Sequence, residues 1–399
     1  MAKSKVLLIL PSWPSPAKPY AGIFFQDYIP LLNELDYDVF IVIINFVGFR
    51  HLLNSGSSPL KFTTGLFSGS RFLSLRLPNL LPSSSLFIHI CLIFLSHLFR
   101  IYTYFAGPFA FVFSHYSIFP GLLGYIISSS MHLPHIIMEH RRTDPSAIPP
   151  WESAFVTRAC CHANYLVSPS HHFSKLLSKF YPSQTNIKTL PNILSQSFIA
   201  QSSSTLVDAF STRLKLIQAN QLNLLFVGNF IDLKRPFLFL EVIQEFQIRY
   251  PHIKLHAYLV GTGPLLQPLK TTVHTLDLGG NVSFRFYTPD QVDELISLYM
   301  DSHFLLSLST RETFGLSILQ SLSLLVPVII SDSGGPSSFF KPQYGCLLES
   351  LNPTDIASCI FNASKTYDSY LNALLHFPKH LFSRDCLRTQ WQSLFSSLS

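Results

Sequence analysis

The stretch "FLLSLSTRETFGLSILQSLSLLVPVIISDSGGP", Phe304 to Pro336, decides how the second half of this chain reads. FLLSLS is a short apolar run of strand length, and TRETFG is a loop. LSILQSLSLL then reads as a helix, and VPVIISD as a second strand that ends in paired glycines before another helix. Strand, helix and strand in this order give a parallel pair. Glu312 falls in the loop at the carboxyl end of the first strand, and Gln320 falls on the helix that follows. An isolated glutamate before a helix is usually a favourable partner for the helix dipole. Only the order and spacing of further signals lift it above that.

The same alternation extends in both directions. KVLLIL (Lys5 to Leu10) reads as a buried first strand, IFFQDYIPLLNEL as a helix and YDVFIVIINF as a second strand. PFAFVFSH, HIIMEH and NYLVSPS repeat the strand pattern, each followed by a helix-like stretch such as SHHFSKLLSKF, and NIKTLPN closes the half. SQSFIAQSSST is polar and reads as linker. Strands resume at NLLFVGNF and continue through KLHAYLVG, NVSFRFY, HFLLSLS and VPVIISD. TPDQVDELISLYM opens with threonine, proline and early acids, a helix start.

The expected fold is α/β: two facing doubly wound Rossmann-like domains with a cleft between them. The first spans residues 1–195, a linker 196–220, the second domain 221–380, and a C-terminal helix, 381–399, returns toward the first domain. Ligands of such sheets sit at the carboxyl ends of the strands, with phosphates near helix N-termini.

Composition limits the partners. Of 399 residues, 48% are hydrophobic and 13% charged, which calls for large cores or some lipid contact. The net charge of +6 suits an anionic partner such as a phosphate, a nucleotide or a lipid surface. No basic run is long enough to indicate nucleic acid. The six cysteines form no C-x-x-C and read as free thiols of a reducing compartment. CCHANYLVSPSHH lacks the usual zinc-ligand spacing and reads as structural. KVLLIL is too short for a signal peptide. LFIHICLIFLSHLF (Leu86 to Phe99) falls short of the ~20 apolar residues of a spanning helix. It reads as a core or interfacial helix, and membrane contact and an ordinary core role stay open.

Three stretches of the second half bear on chemistry. In LLFVGNFIDLKRP, Lys234 follows the glycine turn at Gly228 and could neutralise a diphosphate, although alone it reads as a solvated turn lysine. LVGTGP ends a strand at Gly261, where a ligand can approach the backbone. The third is the opening stretch, whose paired glycines read as a phosphate cradle.

Taken in order along nearly the whole chain, these residues resemble the retaining glycosyltransferases of the GT-B fold, in the group-1, or fourth, family. LPSWPSPAKPYAGIFFQDYIPLL resembles the family's opening, with Gly22 and Phe24 in place. HYSIFPG, IIMEH, YLVSPS and LPN follow. FVGNF with its lysine, LVGTGP, ETFGLSILQSL, PVIISDSGG and YGCLLESLNPTDIA complete the series.

The resemblance implies transfer of a sugar from a nucleotide-sugar with retained configuration. It places His140 against the transferring sugar and Glu312, the first glutamate of E-x7-E, beside the same sugar. Lys234 becomes one half of a basic pair on the leaving diphosphate. Phe314, Gly315 and Leu316 form the loop that offers backbone amides to the donor, and Gln320 takes the place of the second glutamate, on the ribose hydroxyls. Gly22, Gly228, Asn229 and Gly261 complete the donor set.

Three positions depart from the pattern: Asn229 replaces the arginine of the basic pair, Gln320 the second glutamate, and Leu325 a glycine. An amide at 320 keeps hydrogen bonding to a hydroxyl but loses the charge-assisted bond. No metal and no cofactor are expected, the nucleotide-sugar being a substrate. The expected acceptor is a saccharide or a lipid-linked group at the cytoplasmic face of the cell membrane, in surface polysaccharide or glycolipid synthesis. The alternative is a degenerate protein that binds nucleotide-sugar or a partner with little turnover. A saccharide hydrolase would need a second facing carboxylate, which the sequence does not offer.

Overall fold

The structure, a computed structural model, describes residues 3–13, 22–48, 61–67, 69–79, 108–141 and 144–398. The apolar stretch Leu86 to Phe99 lies outside them. The chain divides into two compact units: Met1–Ile193 with Arg384–Ser399, and Leu194–Ser383.

The first unit is built on an eight-stranded sheet of β1 (Ser4–Leu10), β2 (Tyr37–Gly48), β3 (Lys61–Phe67), β4 (Ser70–Asn79), β5 (Phe109–His115), β6 (His135–Met138), β7 (Tyr165–Ser168) and β8 (Ile187–Thr189). Their spatial order is β3-β4-β2-β1-β5-β6-β7-β8. Val6 to Leu10 are fully buried, as a central parallel strand covered on both faces must be. Helices α1 (Tyr28–Glu34), α2 (Leu122–Met131), α3 (Pro150–His162) and α4 (His171–Phe180) follow the strands. Ser170 caps α4 by accepting from the Phe173 amide. The C-terminal helix Arg384–Ser396 buries Leu387 and Trp391 in the same core as Val6, Leu8 and Tyr28.

Two features here differ from the sequence reading. β3 and β4 form a hairpin absent from it, and β3 is antiparallel, an edge on an otherwise parallel sheet. Phe67 pairs with Ser70 at its closed end, and alternating runs such as SRFLSLRLPN stand out less in a sequence than continuous apolar ones. The first helical stretch is also split, a 3-10 turn at Ile23–Asp27 leading into α1.

The second unit has six parallel strands: β9 (Gln221–Val227), β10 (Lys254–Val260), β11 (Val282–Arg285), β12 (Phe304–Ser307), β13 (Val328–Ser331) and β14 (Gly345–Leu348). Their order, β11-β10-β9-β12-β13-β14, is that of a Rossmann sheet. Strand order therefore reverses between β9 and β12, and the loops that leave these two strands flank the switch point. Around the sheet lie α5 (Ser203–Gln218), α6 (Pro236–Arg249), α7 (Leu266–Thr275), α8 (Val292–Asp301), α9 (Leu316–Ser323) and α10 (Pro353–Lys365).

The segment read as linker, 196–220, is mostly helix. Ser202 caps α5, and Leu206, Phe210 and Arg213 bury one face of it against the second unit. The serines that suggested a loop are the cap and the first turn, and the apolar spacing begins only at Leu206. The paired glycines at 334–335 also differ from expectation. They open a four-residue 3-10 turn, Gly335–Ser338, rather than a helix, and the Gly335 amide is already given to the Glu312 carbonyl.

Candidate active site

At the switch point of the second unit, Lys234 and Glu312 meet. Lys234 ends a 3-10 turn, Asp232–Lys234, after β9, and Glu312 stands in the loop after β12. The Lys234 ammonium donates to Oε1 of Glu312 in a partly buried ion pair. Ser309 donates to the same oxygen at 2.8 Å. Backbone bonds hold both loops in place. The Thr310 amide donates to the Leu233 carbonyl at 2.9 Å, joining the two loops. Glu312 is zipped to the loop after β13 through its amide to Ser333 (2.8 Å) and its carbonyl from Gly335 (3.0 Å). A carboxylate and an ammonium are thus fixed on rigid strand ends, poised for a ligand with anionic and hydroxyl groups.

The glycines of this site act through close approach. The register of β9 with β10, Val227 opposite Val260, sets Gly228 beside Gly261. A Cβ on Gly261 would lie 2.0 Å from the Gly228 carbonyl oxygen, so no side chain fits there. Gly315 sits at φ 92° as the residue before α9, and a Cβ would also press on Pro336. Leu316 is the first residue of α9, where helix amides lack intrahelical partners. Phe314 is buried, and its ring packs on Phe339 and Phe382, so only its backbone faces outward chemistry. Asn229 is exposed beside the ion pair's loop.

Gln320 lies on α9, with its side-chain oxygen accepting from the Tyr299 hydroxyl at 3.2 Å. That hydroxyl also faces the Ser317 carbonyl at 3.3 Å. α9 then ends in a Schellman arrangement, with Val326 amide to Ser321 carbonyl and Leu325 amide to Leu322 carbonyl. The left-handed residue of that cap is Leu325, φ 56°, where glycine is the usual choice. The Leu325 carbonyl accepts from the buried Arg213 guanidinium at 2.7 Å, and the Met300 carbonyl at the end of α8 accepts from the same side chain at 2.8 Å.

The first unit gathers a second cluster. His140 follows β6 and His115 ends β5; their rings are bonded, His115 Nδ1 to His140 Nε2, at 2.8 Å. Both are buried, and burial lowers both, His140 to about 3. They are therefore neutral near pH 7. Gly22 opens the turn that carries Phe24 and Phe25, whose rings lie 5.0 and 5.6 Å from that of His140. Glu139 is buried, accepting amides from Ser117 and Arg141 at 2.9 Å each, and burial raises its carboxyl. It fastens the loop after β5 to the loop after β6.

The structure thus brings together Lys234, Glu312, Gly228 and Gly261 in one unit, and Gly22 and His140 in the other. Ser309, Glu139 and His115 were not singled out from sequence. Glu139 adjoins His140 in the quoted IIMEH, and the end-of-strand position of His115 was the available signal.

Residues 211–369 match the family model of "Glycosyl transferases group 1". A D-inositol 3-phosphate glycosyltransferase of Corynebacterium urealyticum is 25% identical over 178 residues, 43% of this chain and 41% of that protein. The chain's match thus spans about two fifths of that curated relative. The fold is shared with a sucrose-phosphate synthase from Thermosynechococcus elongatus, at TM-score 0.74 and 16% identity over 99% of both chains. It is shared also with Anabaena HepE, solved in complex with UDP and glucose, at TM-score 0.68 and 15% identity over 98% of this chain and 99% of that one. These are two-domain structures of the GT-B type, whose fold this chain shares, and over residues 211–369 the chain is similar to the group 1 glycosyl transferases.

Proposed function

We propose that the protein transfers a sugar from a nucleotide-sugar donor to a saccharide or lipid-linked acceptor, with retention of configuration and without a metal. The observation that carries this is the Lys234–Glu312 ion pair at the switch point of a Rossmann-ordered sheet. Charge develops on the diphosphate as the glycosidic bond breaks, and a fixed ammonium lowers that barrier most where water is scarce. Lys234 takes the leaving diphosphate. Glu312, shared between Lys234 and Ser309, holds hydroxyls of the transferred sugar. Amides at Gly315 and Leu316 bind donor oxygens, and Gln320 meets the ribose. His140 acts on the transferred sugar.

The role lies in surface polysaccharide or glycolipid synthesis at the cytoplasmic face of the cell membrane. Among the described residues no helix is long and apolar enough to cross a membrane. The compounds named for the similar proteins are UDP, glucose and D-inositol 3-phosphate, which makes UDP-glucose the first donor and inositol 3-phosphate the first acceptor to try.

Purified protein with a panel of nucleotide-sugars and acceptors tests the reading. Transfer with the donor's anomeric configuration kept in the product supports it; inversion overturns the retaining mechanism. A second reading, binding without turnover, is favoured by two observations. Asn229 offers no cation beside Lys234, and Gln320 already bonds Tyr299. Nucleotide binding with no transfer across the panel would support that reading.

A further inference from the structure

The two oxygens of Glu312 are not equivalent. Oε1 accepts from Lys234 and from Ser309, the latter at 2.8 Å. Oε2 takes no bond among the described residues, and it is not sealed from solvent. Oε2 is therefore the oxygen open to a ligand.

The two donors on Oε1 differ in kind. Lys234 reaches it from the loop after β9 on a flexible stem, and its side chain is 21% exposed. An ammonium carries three N–H donors, so it can keep Glu312 and take a phosphate oxygen as well. Ser309 lies on the same loop as Glu312 and is only 2% exposed, so a ligand does not reach it. Its hydroxyl has one proton, and a carboxylate only accepts, so that proton is committed to Oε1.

The segment from Ser309 to Glu312 is tied down at both ends. Ser331, the buried last residue of β13, donates from Oγ to the Ser309 carbonyl at 2.6 Å. Beyond β13, the Glu312 amide donates to the Ser333 carbonyl and the Glu312 carbonyl accepts from the Gly335 amide. A serine that only closes a loop bonds nearby backbone. Ser309 instead gives its proton to a side chain. The last torsion of a glutamate is broad and roughly two-fold, so a carboxylate held by one mobile lysine can turn. A second, rigid donor removes that freedom.

We propose that Ser309 is a positioning residue: its hydroxyl holds Oε1 of Glu312 so that Oε2 is presented to the sugar of the bound donor. The bond pattern belongs to the second unit alone. Its consequence for transfer rests on the function proposed above. Because Ser309 is buried, it acts through Glu312 and touches no substrate itself.

Ser309→Ala, Glu312→Ala and the double variant test this, with steady-state transfer and nucleotide titration. In Ser309→Ala, kcat/KM for an accepted nucleotide-sugar should fall about tenfold or more, the effect of losing one hydrogen bond to a charged group. Its affinity for the nucleoside diphosphate alone should change little, since Lys234 remains, and that binding also shows the variant folded. Adding Ser309→Ala to Glu312→Ala should lower transfer no further, because the group it positions is already gone. Wild-type kcat/KM in Ser309→Ala overturns the role. So does an equal loss of diphosphate affinity, or a double variant that loses both factors in full.

If wild type binds nucleotide-sugars without turnover, titration reads the same contrast. Ser309→Ala should then weaken the intact nucleotide-sugar and spare the diphosphate, and equal effects on the two overturn the role. A wild type that neither binds nor transfers overturns the proposed function, and this role with it.

Discussion

Lys234 and Ser309 donate to the same oxygen of Glu312, Oε1, so one carboxylate oxygen is bonded twice. Lysine comes from the loop after β9 and serine from the loop after β12, on the two sides of the switch point. Glu312→Ala would remove the acceptor of both. Loss of one well-placed polar group at a reacting centre commonly costs about 10²–10³ in kcat. Transfer by Glu312→Ala should fall at least that far, while Lys234, released from its partner, still binds nucleoside diphosphate. Wild-type rates in this variant would show that the glutamate is placed outside the chemistry.

Gln320 has a structural partner as well as a proposed ligand. Its oxygen accepts from Tyr299 at 3.2 Å. Gln320→Glu keeps an acceptor for Tyr299 and adds a stronger one for ribose. It also adds negative charge near a diphosphate, with Asn229 in place of a cation. The expected change in donor affinity is under about tenfold, or about 1.4 kcal/mol. Combined with Asn229→Arg, affinity should rise beyond the sum of the single effects, since both groups flank one ligand. Strict additivity in titration calorimetry would assign Gln320 to packing on Tyr299 alone.

Leu325 holds a left-handed backbone, φ 56°, at the end of α9 and is buried. Comparison of Leu325→Ala with Leu325→Gly separates its two contributions. Both lose the leucine side chain, at about 2–5 kcal/mol for a buried leucine cut to alanine. Only glycine relieves the backbone, worth about 1 kcal/mol. The glycine variant should therefore be the more stable of the two by about that amount in chemical denaturation. Equal stability, or a more stable alanine variant, would contradict the strained cap.

Stability should fall on acidification. Burial lowers His135 and His140 to about 3 and His303 to about 4, and it lowers His115 well below the usual histidine value too. Their folded values lie below the unfolded ~6.5, so the unfolded chain takes up protons that the folded chain refuses. The stability they contribute is complete above pH 6.5 and is lost as pH falls toward 3. Asp27, raised by burial to about 6, and Glu139, also raised, act in the opposite sense and offset part of this. His256, also lowered by burial, adds to the loss, and Asp301, also raised by burial, opposes it; five such histidines against three such carboxyls leave a net loss of stability as pH falls below the unfolded histidine value. Denaturation measured from pH 8 to pH 4 should show it. A stability that stays level or rises would contradict the neutral burial of these rings.

The fold was legible where apolar runs end in small residues. Val227–Gly228 and Val260–Gly261 announced both the strands and their carboxyl ends, because a strand buried on both faces admits little but aliphatic residues. The hairpin β3–β4 was not legible in the same way, and α5 was hidden by its own serine cap. In the site, Lys234 and Glu312 were found from spacing and resemblance, but their bond was not, since 78 residues separate them and only the order β9-β12 joins their loops. His115 and Glu139 were missed for a related reason. Their meaning lies in what neighbouring strands bring beside them, and a single strand-end histidine or carboxylate carries no such information.

Titration of wild type and Lys234→Ala with a panel of nucleoside diphosphates tests the central claim most directly. The account predicts that at least one nucleoside diphosphate binds wild type. The alanine variant should bind it at least about tenfold more weakly, since hydrogen bonds to charged groups contribute about 1.5–3 kcal/mol. Circular dichroism should show the alanine variant folded, since Glu312 keeps its bond from Ser309 when the partly buried ion pair is removed. Failure of every nucleoside diphosphate to bind wild type, or equal binding by Lys234→Ala, would contradict it.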